Sequence, residues 1–247
     1  MVRCGDDCVT VSTISPLLPN GPLLQVISAR EAAMLVRRGD TLMVGGFGLV
    51  GKPLTLVSAL SDNPDATDLT VISNNLGEPG VGLGALLAQG RITKAIGSFF
   101  TSNPDVVAAH AEGRLEVELT PQGTMAEAIR AGGAGIAAFY VRTGVGTKLA
   151  EGHEVREFDG VPHLLWRALR ANVALIRAAR ADELGNLVYD KTARNFNPDM
   201  ATAADLVIAE VDQIVPVGAL DPEAIVTPHV LVDRLVLAHN RDDASDG

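Results

Sequence analysis

Short apolar runs alternate along this chain with stretches of helical character, and that alternation restricts the fold more than any other feature. Thr41–Val44, Leu69–Ile72 and residues 94–99 and 115–119 read as strands. Residues 54–60, 81–89, 104–112 and 125–131 read as the helices that follow them. Strands that are apolar along their whole length need cover on both faces, and a strand–helix–strand succession pairs its strands in parallel. The sequence therefore predicts an α/β fold: a mostly parallel open sheet with helices on both faces. Ligands of such sheets sit beyond the carboxyl ends of the strands. Three loops occupy those places, at residues 45–51, 73–77 and 120–123.

Order is expected to begin near Ser28. Ser28 and Glu31 have the S-x-x-E spacing of a capping box, and Ala32, Ala33, Leu35 and Val36 follow as an apolar helix face. Residues 1–25 carry three prolines and no periodicity, so they read as a flexible tail. Residues 26–240 form the domain, and 241–247 are a polar tail. In the second half, residues 132–135 and 143–147 read as glycine-rich turns. Residues 163–181 allow either one amphipathic helix or strands; Val173-Ala174-Leu175-Ile176 followed by Gly185-Asn186-Leu187-Val188-Tyr189 favours a hairpin. Residues 206–209 and 230–237 add late strands.

Composition removes several function classes. Thirty acidic against 20 basic residues give a net charge of −10, and aromatics are only 4%. Neither suits a phosphate backbone or stacked bases, so no nucleic acid is expected. Any anionic ligand must be held by local donors. No apolar run reaches membrane-spanning length, and the N-terminus, with Asp6 and Asp7, lacks a signal-peptide core and an arginine-rich transit pattern. The expectation is a cytoplasmic protein that does not engage membranes. Cys4 and Cys8 have no histidine or second pair nearby and read as free thiols. The five histidines show no metal spacing, and no serine sits in a nucleophile elbow.

Gly46-Phe47-Gly48-Leu49-Val50-Gly51 spells G-x-G-x-x-G between a strand and the helix that Pro53 opens. A nicotinamide-dependent oxidoreductase is one alternative. That fingerprint also needs an acid at the end of the next strand to hold a ribose hydroxyl. Here the strand ends in Ser73-Asn74-Asn75, which has none. A glycine loop in this place still lets backbone N–H groups approach charged oxygens, because no Cβ intervenes.

These loops resemble those of the A-type half of family I 3-oxoacid CoA-transferases, the acetoacetate and 3-oxoadipate enzymes. The likeness is carried by Asp40-Thr41-Leu42-Met43-Val44-Gly45-Gly46-Phe47-Gly48-Leu49-Val50-Gly51-Lys52-Pro53, by Ser73-Asn74-Asn75 and by Glu116-Val117-Glu118-Leu119-Thr120-Pro121-Gln122-Gly123-Thr124. Ile129-Arg130-Ala131-Gly132-Gly133-Ala134-Gly135, Thr143-Gly144-Val145-Gly146-Thr147 and Ala193-Arg194-Asn195-Phe196-Asn197 extend it. The resemblance implies the CoA-transferase (NagB/RpiA-like) fold and transfer of CoA from succinyl-CoA or acetyl-CoA to a 3-oxoacid, through a ping-pong glutamyl-CoA route. CoA enters as a substrate, and no cofactor or metal is implied.

The family's nucleophilic glutamate lies in a Ser-Glu-Asn-Gly context of the B-type half, which this chain lacks. Glu78 is the nearest acid to a ligand loop, and its neighbours do not match. The expected partner is a B-type CoA-transferase subunit, in a heterodimer or heterotetramer. By resemblance, Asn74, Asn75 and Gln122 orient substrate and donate to developing negative charge. Gly45, Gly46, Phe47, Gly48, Leu49, Val50 and Gly51 bind CoA. The plainer alternatives are Asx-turn chemistry for the asparagines, a helix-capping turn for Gln122 and strand-to-helix geometry for the glycines. Lys191 and Arg194 are suited to pairing with CoA phosphates or partner carboxylates and equally to a surface ion pair, and they are not named as site residues. A non-catalytic module that binds CoA esters is the remaining alternative.

Overall fold

The computed structural model describes residues 24–238. The C-terminal tail, Cys4 and Cys8 lie outside them. Leu24 and Gln25, assigned to the N-terminal tail, are already tied to the domain: Leu24 N–H donates to Glu183 O and Gln25 O accepts from Leu235. Helix α1 (Ala29–Ala33) starts where the capping box predicts. Ser28 Oγ accepts from Glu31 N–H at 3.1 Å, and the Glu31 carboxylate receives Ser28 N–H at 2.8 Å.

The next elements are β1 (Thr41–Val44), α2 (Leu54–Ala59), β2 (Leu69–Ile72), α3 (Leu83–Ala88), β3 (Ile92–Gly97), α4 (Pro104–Ala111), β4 (Glu116–Leu119) and α5 (Gln122–Gly133). The second half contains β5 (Ala138–Val141), β6 (Val155–Phe158), β7 (Val161–Arg167), β8 (Ala171–Asp182), β9 (Leu187–Val188), α6 (Asn197–Thr202), β10 (Ala204–Val215) and β11 (Arg234–Leu237). Seven parallel strands run in the order β11-β10-β8-β1-β2-β3-β4, and short β9 joins β8 antiparallel. Strand alternation divides the core. Leu42 and Val44 of β1 join the cluster built by α1 to α4 through Ala32, Leu56, Leu86 and Val106. Met43 points the other way, to Met125 and Ile129 of α5 and Met200 of α6. Burial of each such side chain is worth roughly 1.5–3 kcal/mol, so both faces hold the sheet.

Several expectations need correction. β3 ends at Gly97 rather than residue 99, because the N–H groups of Ser98 and Phe99 both go to Asn74 O. Helix α5 starts three residues before the expected Met125. Residues 163–181 hold the end of β7 and most of β8, separated at 168–170, and not a helix; the favoured hairpin is real, but it pairs Arg180 and Ala181 with Val188 and Leu187. Its turn is held by buried Asp182, whose Oδ1 accepts from Leu184, Gly185 and Asn186 N–H groups. His229–Leu231 forms a 3-10 turn, so β11 begins only at Arg234.

A three-stranded antiparallel sheet, β5-β7-β6, was not anticipated. Gly132 and Gly133, expected in a turn, are the last residues of α5. A Cβ on Gly132 would lie 1.9 Å from Leu169 O, and one on Gly133 would lie 1.9 Å from Thr202 Oγ1. The glycines are there to let the helix end touch neighbouring chain.

Two glycines of α5 should therefore respond oppositely to alanine. Gly132→Ala forces a backbone carbonyl away and should cost more than about 2 kcal/mol, against a helix-propensity gain of about 1 kcal/mol. Gly123→Ala meets nothing within 4 Å and should be neutral or stabilising by up to about 1 kcal/mol. Denaturant melts of the two variants decide it.

Candidate functional site

The carboxyl ends of β1, β2, β3 and β4 open into one cleft of about 490 Å³. Phe47, Gly48 and Leu49 come from the glycine loop; Asn74, Asn75, Gly77 and Glu78 follow β2. Ser98, Phe99 and Ser102 follow β3, and Gln122 is the first residue of α5. Six sequence-predicted residues thus meet: Phe47, Gly48, Leu49, Asn74, Asn75 and Gln122. The other four do not line the cleft. Gly45 and Gly46 are buried behind it, Val50 stands on the rim, and Gly51 lines a neighbouring cavity of about 380 Å³. Phe47 and Phe99 of the cleft wall are half exposed, as are Val50 of the glycine loop and Leu119 at the end of β4.

The glycine loop is shaped from its far side. Buried Asn197 donates to Gly51 O and Ala193 O, and its Oδ1 accepts from Arg177 N–H. Asn195 Oδ1 accepts from Gly46 N–H, and its Nδ2 donates to Val50 O. A Cβ on Gly45 would lie 1.8 Å from Asn197 Oδ1, which is why this position is glycine. Across the tip, Phe47 and Val50 exchange backbone hydrogen bonds. The loop's own folding therefore uses the N–H groups of Gly45, Gly46, Phe47 and Val50. Those of Gly48, Leu49 and Gly51 have no protein partner among the described residues. The ligand-facing donors are fewer than the sequence implies.

The amides after β2 form an oriented chain. Asn75 Oδ1 accepts from Gly77 N–H at 2.9 Å and from Lys52 Nζ at 3.2 Å, so the amide has only one orientation. Its Nδ2 donates to Asn74 Oδ1, and Asn74 Nδ2 donates to Ser98 Oγ at 2.7 Å. Each Nδ2 donates one of its two N–H groups in this chain, and both residues line the cleft. Gln122 makes no capping bond in α5 and stands exposed in the cleft wall, so the turn-capping reading of it fails.

Lys52 was missed by sequence reasoning, which treated it only as part of the glycine-loop segment. Only 4% of it is exposed. Its ammonium holds Asn75 O and Oδ1 and has no ion pair among the described residues. Burial lowers its pKa from 10.5 to about 8. The neighbouring cavity has a different character. There Arg177 pairs with both Glu210 and Asp212, and Lys52 lines the same cavity.

Glu210 also accepts Leu56 N–H at 2.9 Å. A carboxylate thus occupies the start of α2, where a dinucleotide's pyrophosphate would need to sit; the oxidoreductase alternative lacks its anion site. Lys191 and Arg194 lie exposed on a 3-10 turn, and Lys191 faces Asp190 at 3.9 Å. Among the described residues, no His, Cys, Asp and Glu cluster could hold a metal ion, and no helix is long and apolar enough to cross a membrane.

The coenzyme A transferase family model matches residues 26–238. The A-type subunit of a succinyl-CoA:3-ketoacid coenzyme A transferase from Xanthomonas campestris pv. campestris is 55% identical over 205 residues, covering 83% of this chain and 84% of that protein. The corresponding subunit of a probable succinyl-CoA:3-ketoacid coenzyme A transferase from Bacillus subtilis is 49% identical over 215 residues, 87% and 90% of the two chains. An acyl-CoA transferase of E. coli O157:H7, solved as a thioester complex with CoA, superposes with a TM-score of 0.79 at 23% identity. That match covers 87% of this chain and 50% of the other, so the likeness is one of fold.

The buried ammonium sets a pH dependence. The folded state binds the Lys52 proton more weakly than the unfolded chain, so between pH 8 and pH 10.5 the unfolded state holds more protons and stability rises with pH. Compared with Lys52→Met, the wild type should gain on the order of 3 kcal/mol across that window. Denaturant unfolding of both proteins at pH values spanning the window measures the difference.

Proposed function

Because the chain belongs to the coenzyme A transferase family, we propose that it is the A-type half of a heteromeric 3-oxoacid CoA-transferase. It moves CoA from succinyl-CoA or acetyl-CoA to acetoacetate or 3-oxoadipate, and CoA is a substrate throughout. The observation that carries this reading is the meeting of the Asn74 and Asn75 amides with Gln122 and the glycine-loop tip in one cleft. The relatives are each named for one subunit of their enzyme, which supports a second, B-type chain as partner.

In this reading a glutamate of the B-type partner attacks the acyl carbonyl and expels CoA as thiolate, leaving an acyl–glutamyl anhydride. The thiolate then attacks the glutamyl carbonyl and releases the first acid, giving a glutamyl-CoA thioester. The acceptor acid reverses both steps. Each addition places negative charge on a carbonyl oxygen, and fixed amide donors lower that barrier because they need no reorganisation. The second N–H groups of Asn74 and Asn75 are the donors this chain offers, Gln122 contacts the acid, and the loop 45–51 holds CoA. The paired asparagines thus do more than close an Asx turn. Glu78 is in the wall, but the attacking carboxylate is assigned to the partner.

Co-expression with a B-type subunit should give acyl-CoA-dependent transfer that neither chain shows alone. Asn75→Ala in that assembly should lower kcat roughly a hundredfold to a thousandfold, with a smaller change in KM. Borohydride cleavage of the trapped thioester should mark a glutamate of the other polypeptide. A thioester on this chain would falsify the division of labour, and binding of CoA esters without turnover beside the B-type partner would favour a non-catalytic module.

A further inference from the structure

Lys52 has a place in the site that CoA transfer by two asparagines and a partner glutamate leaves unexplained. Its side chain leaves the glycine loop, and its Cγ fills the space where Gly46 would carry a Cβ, 2.2 Å from that position. Its ammonium ends beneath the second loop, 3.1 Å from Asn75 O and 3.2 Å from Asn75 Oδ1. Both acceptors are neutral carbonyl oxygens. A buried ammonium without a carboxylate is an expensive arrangement for holding two loops together, since a neutral donor would do the same at lower desolvation cost.

The direction of the hydrogen bonds gives the charge a use. Lys52 donates to Asn75, Asn75 donates to Asn74, and Asn74 donates to Ser98, whose hydroxyl lies 3.4 Å from Asn74 O. The three side-chain bonds run the same way, outward from a cation. A cation at the head of such a chain draws electron density from each amide in turn and makes the remaining N–H groups stronger donors. Asn74 and Asn75 both line the cleft, where these remaining donors are available. Lys52 lines the neighbouring cavity and not the cleft, and its ammonium is bound to Asn75, so it reaches the cleft through the amides.

We propose that Lys52 is a positioning residue for CoA transfer: it locks the Asn75 amide in one orientation and polarises the Asn75–Asn74 pair toward the oxyanion. This rests on the CoA-transferase reading of the cleft. The titratable groups around Lys52 are Glu78 beside the second loop and, from the neighbouring cavity, Arg177 of β8, Glu210 and Asp212 of β10, and Asp190. Glu210 and Asp212 are engaged by Arg177, and burial alone depresses the lysine. Its titration should therefore appear in the activity as an alkaline limb near pH 8.

The test uses the full chain assembled with its B-type partner, comparing wild type, Lys52→Met, Lys52→Gln and Asn75→Ala. Lys52→Met should lower kcat roughly tenfold to a hundredfold with KM changed less than about threefold, and should lose the alkaline limb. Lys52→Gln, which keeps an N–H donor without the charge, should recover part of that loss. Melting temperature and assembly are measured alongside. A fall in kcat that tracks a fall in melting temperature in both Lys52 variants assigns a structural role and overturns the proposal. Near-wild-type kcat for Lys52→Met beside a crippled Asn75→Ala also overturns it, while leaving the CoA-transferase reading intact. Unchanged kcat in both Lys52→Met and Asn75→Ala instead removes the reading of the cleft on which it stands.

Discussion

A glycine loop that leaves a sheet has backbone groups no strand can pair, and here two asparagine side chains receive them. Asn197, with no exposed surface, reaches the loop at Gly51, the 3-10 turn at Ala193 and strand β8 at Arg177. Asn195 takes Gly46 and Val50. Unpaired buried amides and carbonyls each cost on the order of 1–3 kcal/mol, so this small network fixes the loop more firmly than its glycine content suggests. The position of Phe47, Gly48 and Leu49 at the cleft follows from it, and so does the course of Lys52 beneath Gly46. Segments about 150 residues apart in sequence are joined at one point by Asn195 and Asn197.

The first half of the fold was legible because its strands are buried on both faces and its loops follow in regular order. β1 and β2 come out with the boundaries the apolar runs predict. The second half was harder for identifiable reasons. Asp159-Gly160, with φ of +52° and +74°, is a strong two-residue hairpin signal between β6 and β7, and it went unread. The apolar run from Val161 to Trp166 lacks clean alternation, so helix and strand were not separable by period. Gly132 and Gly133 read as a turn because close approach to Leu169 and Thr202 is a tertiary fact.

The site divides in the same way. Loops at strand ends could be placed from the order of elements, which is why the loops bearing Asn74, Asn75 and Gln122 meet in one cleft, while the roles given to those residues came from the resemblance. Lys52 could not, because a lysine between glycine and proline looks solvated until the packing of two loops closes over it. The clamp formed by Asn195 and Asn197 was visible only as a matching segment with no stated job. The two cavities that flank the loop differ in their charge: one is lined by Arg177, Glu210, Asp212 and Lys52, while the other is walled by the Asn74 and Asn75 amides, which Lys52 holds from behind.

The half-exposed Phe47, Val50, Phe99 and Leu119, on the glycine loop and at the ends of β3 and β4, have a cellular consequence. A molecule released from synthesis before anything covers those side chains presents apolar surface to other chains, and such surface favours clumping. If a second polypeptide is the cover, producing the two in matched amounts becomes a matter of solubility as well as of turnover. A surplus of this chain then threatens the cell with aggregates before it wastes any catalytic capacity.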